Sequence, residues 1–142
     1  MNTNKISKEL ALHRLAQAKE DLGASKSLYN EQYYKSANSR AYYSVFHAIR
    51  GVLALEPIDF KRHKSVIAYF NENYVNKGIF TKMIGRKISK CSKLREDSDY
   101  DDEFTVRPEA TKEQIDTAEE LIKMVEKYIN EKNPEKNNQK HK

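Results

Sequence analysis

The chain has very little cysteine: Cys91 is the only one among 142 residues. A single cysteine excludes an intrachain disulfide and any zinc site built from several cysteines. Cys91 follows a helical pattern beside Ile88 and Leu94, so we expect a buried, unreactive thiol. Disulfide-stabilised folds and cysteine-rich metal proteins are therefore excluded.

Long apolar runs are also missing. No stretch approaches the roughly 18 to 20 apolar residues that a membrane-spanning helix needs. The first residues lack the apolar core of a signal peptide. We therefore expect a cytoplasmic protein without a membrane segment.

The charge is moderate rather than extreme. There are 26 Lys and Arg against 21 Asp and Glu, which gives a net charge of +5. An excess of this size permits a nucleic-acid partner without requiring one. Both signs are spread along the chain, so we expect much of the charge to lie on solvated helix surfaces.

Apolar residues recur at helical spacing in five segments, and no segment shows the alternation typical of a strand. Pro57, Pro108 and Pro134 all fall in predicted connections or in the tail. Connections of short to moderate length favour antiparallel neighbouring helices. We predict an all-α fold, an up-and-down antiparallel bundle of about five helices. It forms one domain over residues 1–132, followed by a disordered polar tail at 133–142.

Capping signals place the helix boundaries. The first helix is predicted over about 3–28 and the third over about 63–76, where Gly78 is a plausible stop. Asn30 can cap a second helix that extends to about residue 55. Thr81 can cap the fourth, and a capping box of Thr111 and Gln114 can open the fifth.

The second predicted helix carries the most informative stretch, residues 38–50. At about 100° per residue, Arg40 and His47 lie two turns apart and within about 20° of each other, with Tyr43 between them. The opposite side is apolar, and we expect Tyr42 and Phe46 to belong to the core. The polar side is either a surface with a snorkelling arginine and a satisfied histidine, or a site for a phosphate-bearing ligand.

Small side chains accompany this polar side: Ser36, Ser44, Gly51 and Ala54. They would allow another helix to approach closely. We therefore expect them to border a two-fold interface.

A basic turn precedes the third helix and ends in His63 and Lys64. It fits phosphate contact near a helix N-terminus, and it fits equally well a solubilising surface turn. The acidic run at 96–103 lacks the central glycine and distal glutamate of a calcium loop, so we interpret it as a solvated loop. We expect neither a metal nor a cofactor.

The stretch Ser39-Arg-Ala-Tyr-Tyr-Ser-Val-Phe-His47 resembles the signature of HEPN-domain proteins, which are small helical bundles. Catalytic members carry an arginine and a histidine separated by four to six residues, and six separate Arg40 from His47. The similarity continues through His63-Lys64 and through Leu94-Arg95 followed by Asp99-Tyr100. It covers about residues 12–128.

The resemblance implies metal-independent RNA cleavage by a homodimer, with Arg40 and His47 as the catalytic residues. A histidine can move a proton at the 2′-hydroxyl or the leaving oxygen, and an arginine can stabilise charge on the phosphoryl oxygens. Many such proteins are toxins paired with a nucleotidyltransferase-like antitoxin. The resemblance and the basic turn together suggest five substrate-binding residues: Tyr43, His63, Lys64, Arg95 and Tyr100.

Two other functions stay open. The chain could be a non-catalytic nucleotide- or RNA-binding subunit of a nucleotidyltransferase, because Ala41 stands where a polar residue commonly follows the arginine in active members. It could also be a structural interaction bundle in which the Arg40–His47 face is only a dimer seam. One branch of the family carries a tyrosine, modified by the antitoxin, two residues after the histidine; Ile49 occupies that position here.

Overall fold

Five α-helices and no strand make up the computed structural model within residues 2–57, 63–101 and 105–132, the part of the chain that the structure describes. The side chains of residues 2–6, 63 and 64 lie outside that description. The helices are α1 (Asn2–Asn30), α2 (Tyr34–Leu53), α3 (His63–Phe70), α4 (Lys82–Tyr100) and α5 (Pro108–Glu131), and a π-helical turn (Asn71–Val75) continues α3. The predicted all-α bundle is confirmed.

Helix α2 forms the centre of the core and packs against α1 and α5. Its apolar side is buried as predicted, and Tyr42 and Phe46 are buried with it. Helices α1 and α5 bury complementary stripes spaced three and four residues apart. The core residues from these two helices include Ala11, Leu15, Ala18, Leu22, Ile115, Ala118, Leu121, Ile122, Val125 and Ile129.

The turn between α1 and α2 differs from the prediction. Asn30 is the last residue of α1 and does not cap α2, which begins at Tyr34 without a side-chain cap. Gln32 adopts a left-handed φ of 70°, and the amide of Tyr33 donates to the carbonyl of Leu28 over 2.9 Å. Backbone hydrogen bonds close this reversal, so it needs no capping side chain.

Two of the four small residues, Ser44 and Gly51, face α1 of the same chain, so at these positions the close approach is made within the chain and not by a second copy. Ser36 is exposed. The Ser44 hydroxyl is buried and donates to the carbonyl of Ala18 over 2.7 Å. A Cβ atom added to Gly51 would lie 3.3 Å from the carbonyl oxygen of Ala11. The first helix therefore fills the groove that these residues leave.

The predicted caps of α3 to α5 have mixed outcomes. Gly78 has a φ of +80° and follows the π-helical turn, and the Thr81 hydroxyl caps α4 by accepting from the amide of Ile84 over 3.1 Å. The capping box is wrong, because α5 already begins at Pro108 and Thr111 is buried inside it. Proline suits the first helical position because an amide there has no partner within the helix, so nothing is lost by the missing N–H of proline.

The acidic run and the tail were both predicted to lie outside the helices. Helix α4 instead continues to Tyr100, so the first part of the acidic run is helical. Residues 102–104 and the predicted tail, 133–142, lie outside the described residues. In the part of the chain that is described, no helix combines the length and apolar character needed to cross a membrane.

The surface charges form the exposed pairs expected of solvated helices. Lysines of α1 and α4 reach glutamates on α5, as in Lys19–Glu126 at 2.7 Å and Lys90–Glu113 at 3.0 Å. Such exposed pairs each contribute little to stability. Cys91 is buried as predicted, and burial raises the pKa of its thiol to about 12.

A half-buried carboxylate contact fixes the segment after α2. The Glu56 carboxylate accepts one hydrogen bond from Tyr69 over 2.6 Å and another from Tyr74. Tyr74 belongs to the π-helical turn, and its ring contacts Tyr128 of α5 at 6.0 Å between centroids. We call this arrangement, Glu56 with Tyr69 and Tyr74, the Glu56 clamp; it ties the end of α2 to α3 and the π-helical turn.

Candidate functional site

The polar side of α2 lies along its contact with α1. Tyr43 and His47 are half-buried, with the His47 side chain 16% exposed, whereas the Arg40 side chain is 52% exposed. The rings of Tyr43 and His47 lie 6.3 Å apart between centroids. The helix therefore presents a cation, a phenol and an imidazole in the order that the sequence predicts.

A carboxylate on α1 connects the two residues of the motif. Asp21 Oδ1 lies 3.0 Å from Arg40 Nη1, and Asp21 Oδ2 lies 2.8 Å from His47 Nδ1. Asp21 itself is only 7% exposed. We call this arrangement, Asp21 with Arg40 and His47, the Asp21 bridge. It brings the two side chains together although their backbone positions are about 10 Å apart along the helix.

The bridge also determines which histidine nitrogen is left for chemistry. An ionised carboxylate can only accept hydrogen bonds, so Nδ1 of His47 must carry the proton that points at Asp21. In the neutral ring, Nε2 is then the basic nitrogen. Arg40 pairs with Asp21 through one nitrogen of a group that has five N–H donors, so other donors remain for an anionic ligand.

Sequence reasoning missed Asp21, although a signal for it exists. The residue stands within the buried stripe of α1, three positions after Ala18 and next to Leu22. A carboxylate in an apolar stripe is costly unless a cation or a hydrogen-bond donor faces it. Its position therefore indicates a partner on a neighbouring helix, which proves to be the Arg40–His47 pair.

Helix α4 brings Arg95 to the same site. Arg95 Nη2 donates to the Tyr43 hydroxyl over 3.2 Å, and the guanidinium carbon lies 5.0 Å from the centre of the Tyr42 ring. Its Nε lies 2.8 Å from Asp99 Oδ2, one turn along α4. These contacts orient the Tyr43 phenol and add a second cation beside the motif.

The structure does not bring every predicted site residue together. Tyr100 is 79% exposed at the end of α4 and lies five positions after Arg95, so the two lie about 140° apart around the helix. His63 and Lys64 begin α3, but their side chains lie outside the described residues. Within the described ranges, no three His, Cys, Asp or Glu side chains cluster as metal ligands would.

The fold and the site together define a small helical bundle with an acid-bridged Arg–His pair. The family model described as HEPN domain matches residues 11–128. A Methanocaldococcus jannaschii protein named "Putative toxin" is 33% identical over 114 residues, covering 80% of this chain and 84% of the relative. A Thermotoga maritima protein named "UPF0332 protein" is 30% identical over 112 residues, covering 79% and 85%. The chain belongs to the HEPN-domain family, and the resemblance predicted from residues 39–47 is confirmed.

Proposed function

We propose that this chain is a metal-independent endoribonuclease and the toxin of a toxin–antitoxin pair. The observation that carries the proposal is the Asp21 bridge, in which one carboxylate holds Arg40 and His47 together at a half-buried site. The name of the M. jannaschii relative supports the toxin part of the proposal. RNA is the substrate class because the site offers a proton-transfer group and a phosphate-binding cation, the two functions that cleavage by the 2′-hydroxyl requires.

The proposed reaction uses the substrate's own nucleophile. The 2′-oxygen attacks the adjacent phosphorus, the bond to the 5′-oxygen breaks, and the products carry a 2′,3′-cyclic phosphate and a 5′-hydroxyl. His47 Nε2 takes the proton from the 2′-hydroxyl or, when protonated, gives one to the departing 5′-oxygen. Arg40 stabilises the charge that develops on the phosphoryl oxygens. Asp21 is a positioning residue that holds the histidine tautomer and the arginine.

A homodimer completes this scheme. One imidazole serves only one of the two proton transfers in a single step, and a second copy across a two-fold axis would supply the other. Because α1 fills the small-residue groove of α2, the proposed interface lies at the open edge of the site, where Arg40 is exposed. We also propose that the protein acts in the cytoplasm and is paired with a nucleotidyltransferase-like antitoxin.

The test is RNA cleavage by purified protein that is free of any antitoxin, with EDTA present. The 5′ fragments should end in a 2′,3′-cyclic phosphate, and a matched oligonucleotide without 2′-hydroxyls should stay intact. Arg40→Ala should slow cleavage and weaken RNA binding, whereas His47→Ala should slow cleavage and largely spare binding. A requirement for magnesium, or full activity in both variants, would remove this pair from the mechanism. RNA binding without cleavage would indicate the accessory-subunit function instead.

A further inference from the structure

The contact between α1 and α2 continues past the Asp21 bridge to two more arginines. Arg50 follows His47 by three residues, about 4.5 Å further along the axis of α2. Arg14 comes from α1 and donates through Nη1 to the carbonyl of Arg50 over 3.1 Å. Both arginines are half-buried. The two helices thus place a pair of cations at one end of the candidate site.

The side chain of Arg50 turns back towards the site. Its guanidinium carbon lies 5.8 Å from the centre of the Phe46 ring, and the His47 ring contacts the same phenyl ring at 5.7 Å between centroids. Helical side chains commonly lean towards the N-terminus in this way. The guanidinium of Arg50 therefore lies back over Phe46, the neighbour of His47, rather than beyond the end of α2.

The two ends of this row of cationic residues on α2 differ in electrostatics. Asp21 offsets the positive charge of Arg40 and His47 at one end. At the other end, no carboxylate among the described residues forms an ion pair with Arg50. The carbonyl groups at the end of α2 attract cations, which accounts for the contact of Arg14. These carbonyl groups do not account for the position of Arg50, because its guanidinium lies over the Phe46 ring, one turn towards the N-terminus of α2.

We propose that Arg50, supported by Arg14, is a second phosphate subsite that binds the backbone phosphate next to the scissile one. This proposal rests on the proposed function and narrows its substrate to single-stranded RNA that spans at least two phosphates. Arginine suits the role because its planar fork matches phosphate oxygens. Arg40 and Arg50 lie about 15 Å apart along the axis of α2, a span long enough for consecutive phosphates of one strand.

The first measurement is binding of a 2′-O-methyl RNA oligonucleotide, which cannot be cleaved, at several salt concentrations. Arg50→Gln should weaken binding about tenfold and reduce the slope of log affinity against log salt by about 0.7, the value for one contact to a single strand. Arg14→Gln should act in the same direction. Arg50→Lys keeps the charge and should keep the slope while losing part of the affinity. Arg86→Gln on the exposed surface of α4 makes the same charge change and should alter neither quantity.

The second measurement locates the phosphate. A set of oligonucleotides, each with one uncharged methylphosphonate linkage, should contain a position that weakens binding to the wild type but not to Arg50→Gln. Thermal melting confirms that each variant is folded. An unchanged salt slope in Arg50→Gln, or no position with that selectivity, would overturn the subsite even if the wild type cleaves RNA. A wild type that binds without cleaving would leave the subsite intact and overturn the nuclease proposal alone.

Discussion

Asp21 and Glu56 make the same kind of contact with different partners. Each is an acidic side chain whose two carboxylate oxygens face two different side chains. Asp21 faces an arginine and a histidine, which carry or can acquire a positive charge. Glu56 faces two phenols, which donate hydrogen bonds but cannot neutralise it. We therefore propose that the Asp21 bridge serves proton transfer and anion binding, whereas the Glu56 clamp fixes the path of the chain.

The division rests on one partner of each carboxylate and not on the carboxylates themselves, since Asp21 is buried and Glu56 is half-buried. Arg40 of the Asp21 bridge is half exposed, so a ligand can reach the bridge from solvent. Tyr74 of the Glu56 clamp is buried and packs on Phe70 and Phe80, with ring centroids 5.3 and 6.3 Å away. Open access favours chemistry and enclosed aromatic packing favours stability. Neutralising Asp21 should therefore change the rate of RNA cleavage, whereas neutralising Glu56 should change the free energy of unfolding.

Asp21→Asn should give the largest effect, and it should appear in activity. The amide can donate to Nδ1 of His47 and so stabilise the wrong tautomer, a change that lowers the rate by about 10²- to 10⁴-fold where a histidine is the proton carrier. Initial rates of RNA cleavage at saturating RNA check this. Thermal melting provides the control, since a large fall in melting temperature would show that Asp21 supports the fold instead.

Much of the fold was predictable because it depends on local pattern. The spacing of apolar residues identified five helices. The Thr81 cap was also predictable, because its hydroxyl accepts from the amide of Ile84, only three residues further along the chain. Arg40, Tyr43 and His47 were recognisable for the same reason, since they share one face of one helix. The first residues of α2 and α5 were not predictable. Backbone hydrogen bonds around Gln32 replace the expected side-chain cap before α2, and α5 begins at a proline instead of at the expected capping box.

The contacts that organise the site were not predictable in this way. The partners of Asp21 lie 19 and 26 residues away, and those of Glu56 lie 13 and 18 residues away. Helical periodicity describes which side of a helix is buried but not which neighbour covers it. For the same reason Gly51 appeared to border a partner subunit, whereas α1 of the same chain covers it.

Glu56→Gln should have a smaller effect, confined to stability. The amide keeps one oxygen that can accept, and its NH2 group cannot accept from the other tyrosine, so we expect a loss of about 1 to 3 kcal/mol in the free energy of unfolding. Urea denaturation measures it. The rate of RNA cleavage well below the melting temperature should stay within about twofold of wild type. A stability equal to wild type, or a rate that falls as far as in Asp21→Asn, would break the contrast between the two carboxylates.

The smallest expected effect of the Glu56 clamp is on the free energy of unfolding at alkaline pH. Burial, and then its hydrogen bond to Glu56, raises the pKa of Tyr74, and a separate hydrogen bond to Glu56 raises the pKa of Tyr69. Burial also raises the pKa of Tyr42 to about 12. Above about pH 10, unfolded tyrosines lose protons that the folded chain retains. Unfolding then releases protons, so the free energy of unfolding should fall as pH rises.

Tyr74→Phe isolates the contribution of the clamp to this pH dependence. The variant should be less stable at neutral pH, and its decline above pH 10 should be shallower by up to about 1.4 kcal/mol per pH unit, the effect of one proton. Denaturation at a series of pH values measures both quantities. A decline as steep as in the wild type would show that Tyr74 does not titrate on unfolding in this range.

The most direct test of the proposed nuclease is the initial rate at which wild type and His47→Ala cleave a fluorescent single-stranded RNA in EDTA. The variant keeps the apolar side of α2 and should stay folded, which circular dichroism and melting check. The wild type should cleave, and removal of the proton carrier should lower the rate by about 10²- to 10⁴-fold. No cleavage by the wild type, or an undiminished rate in folded His47→Ala, would contradict the role proposed for the Asp21 bridge.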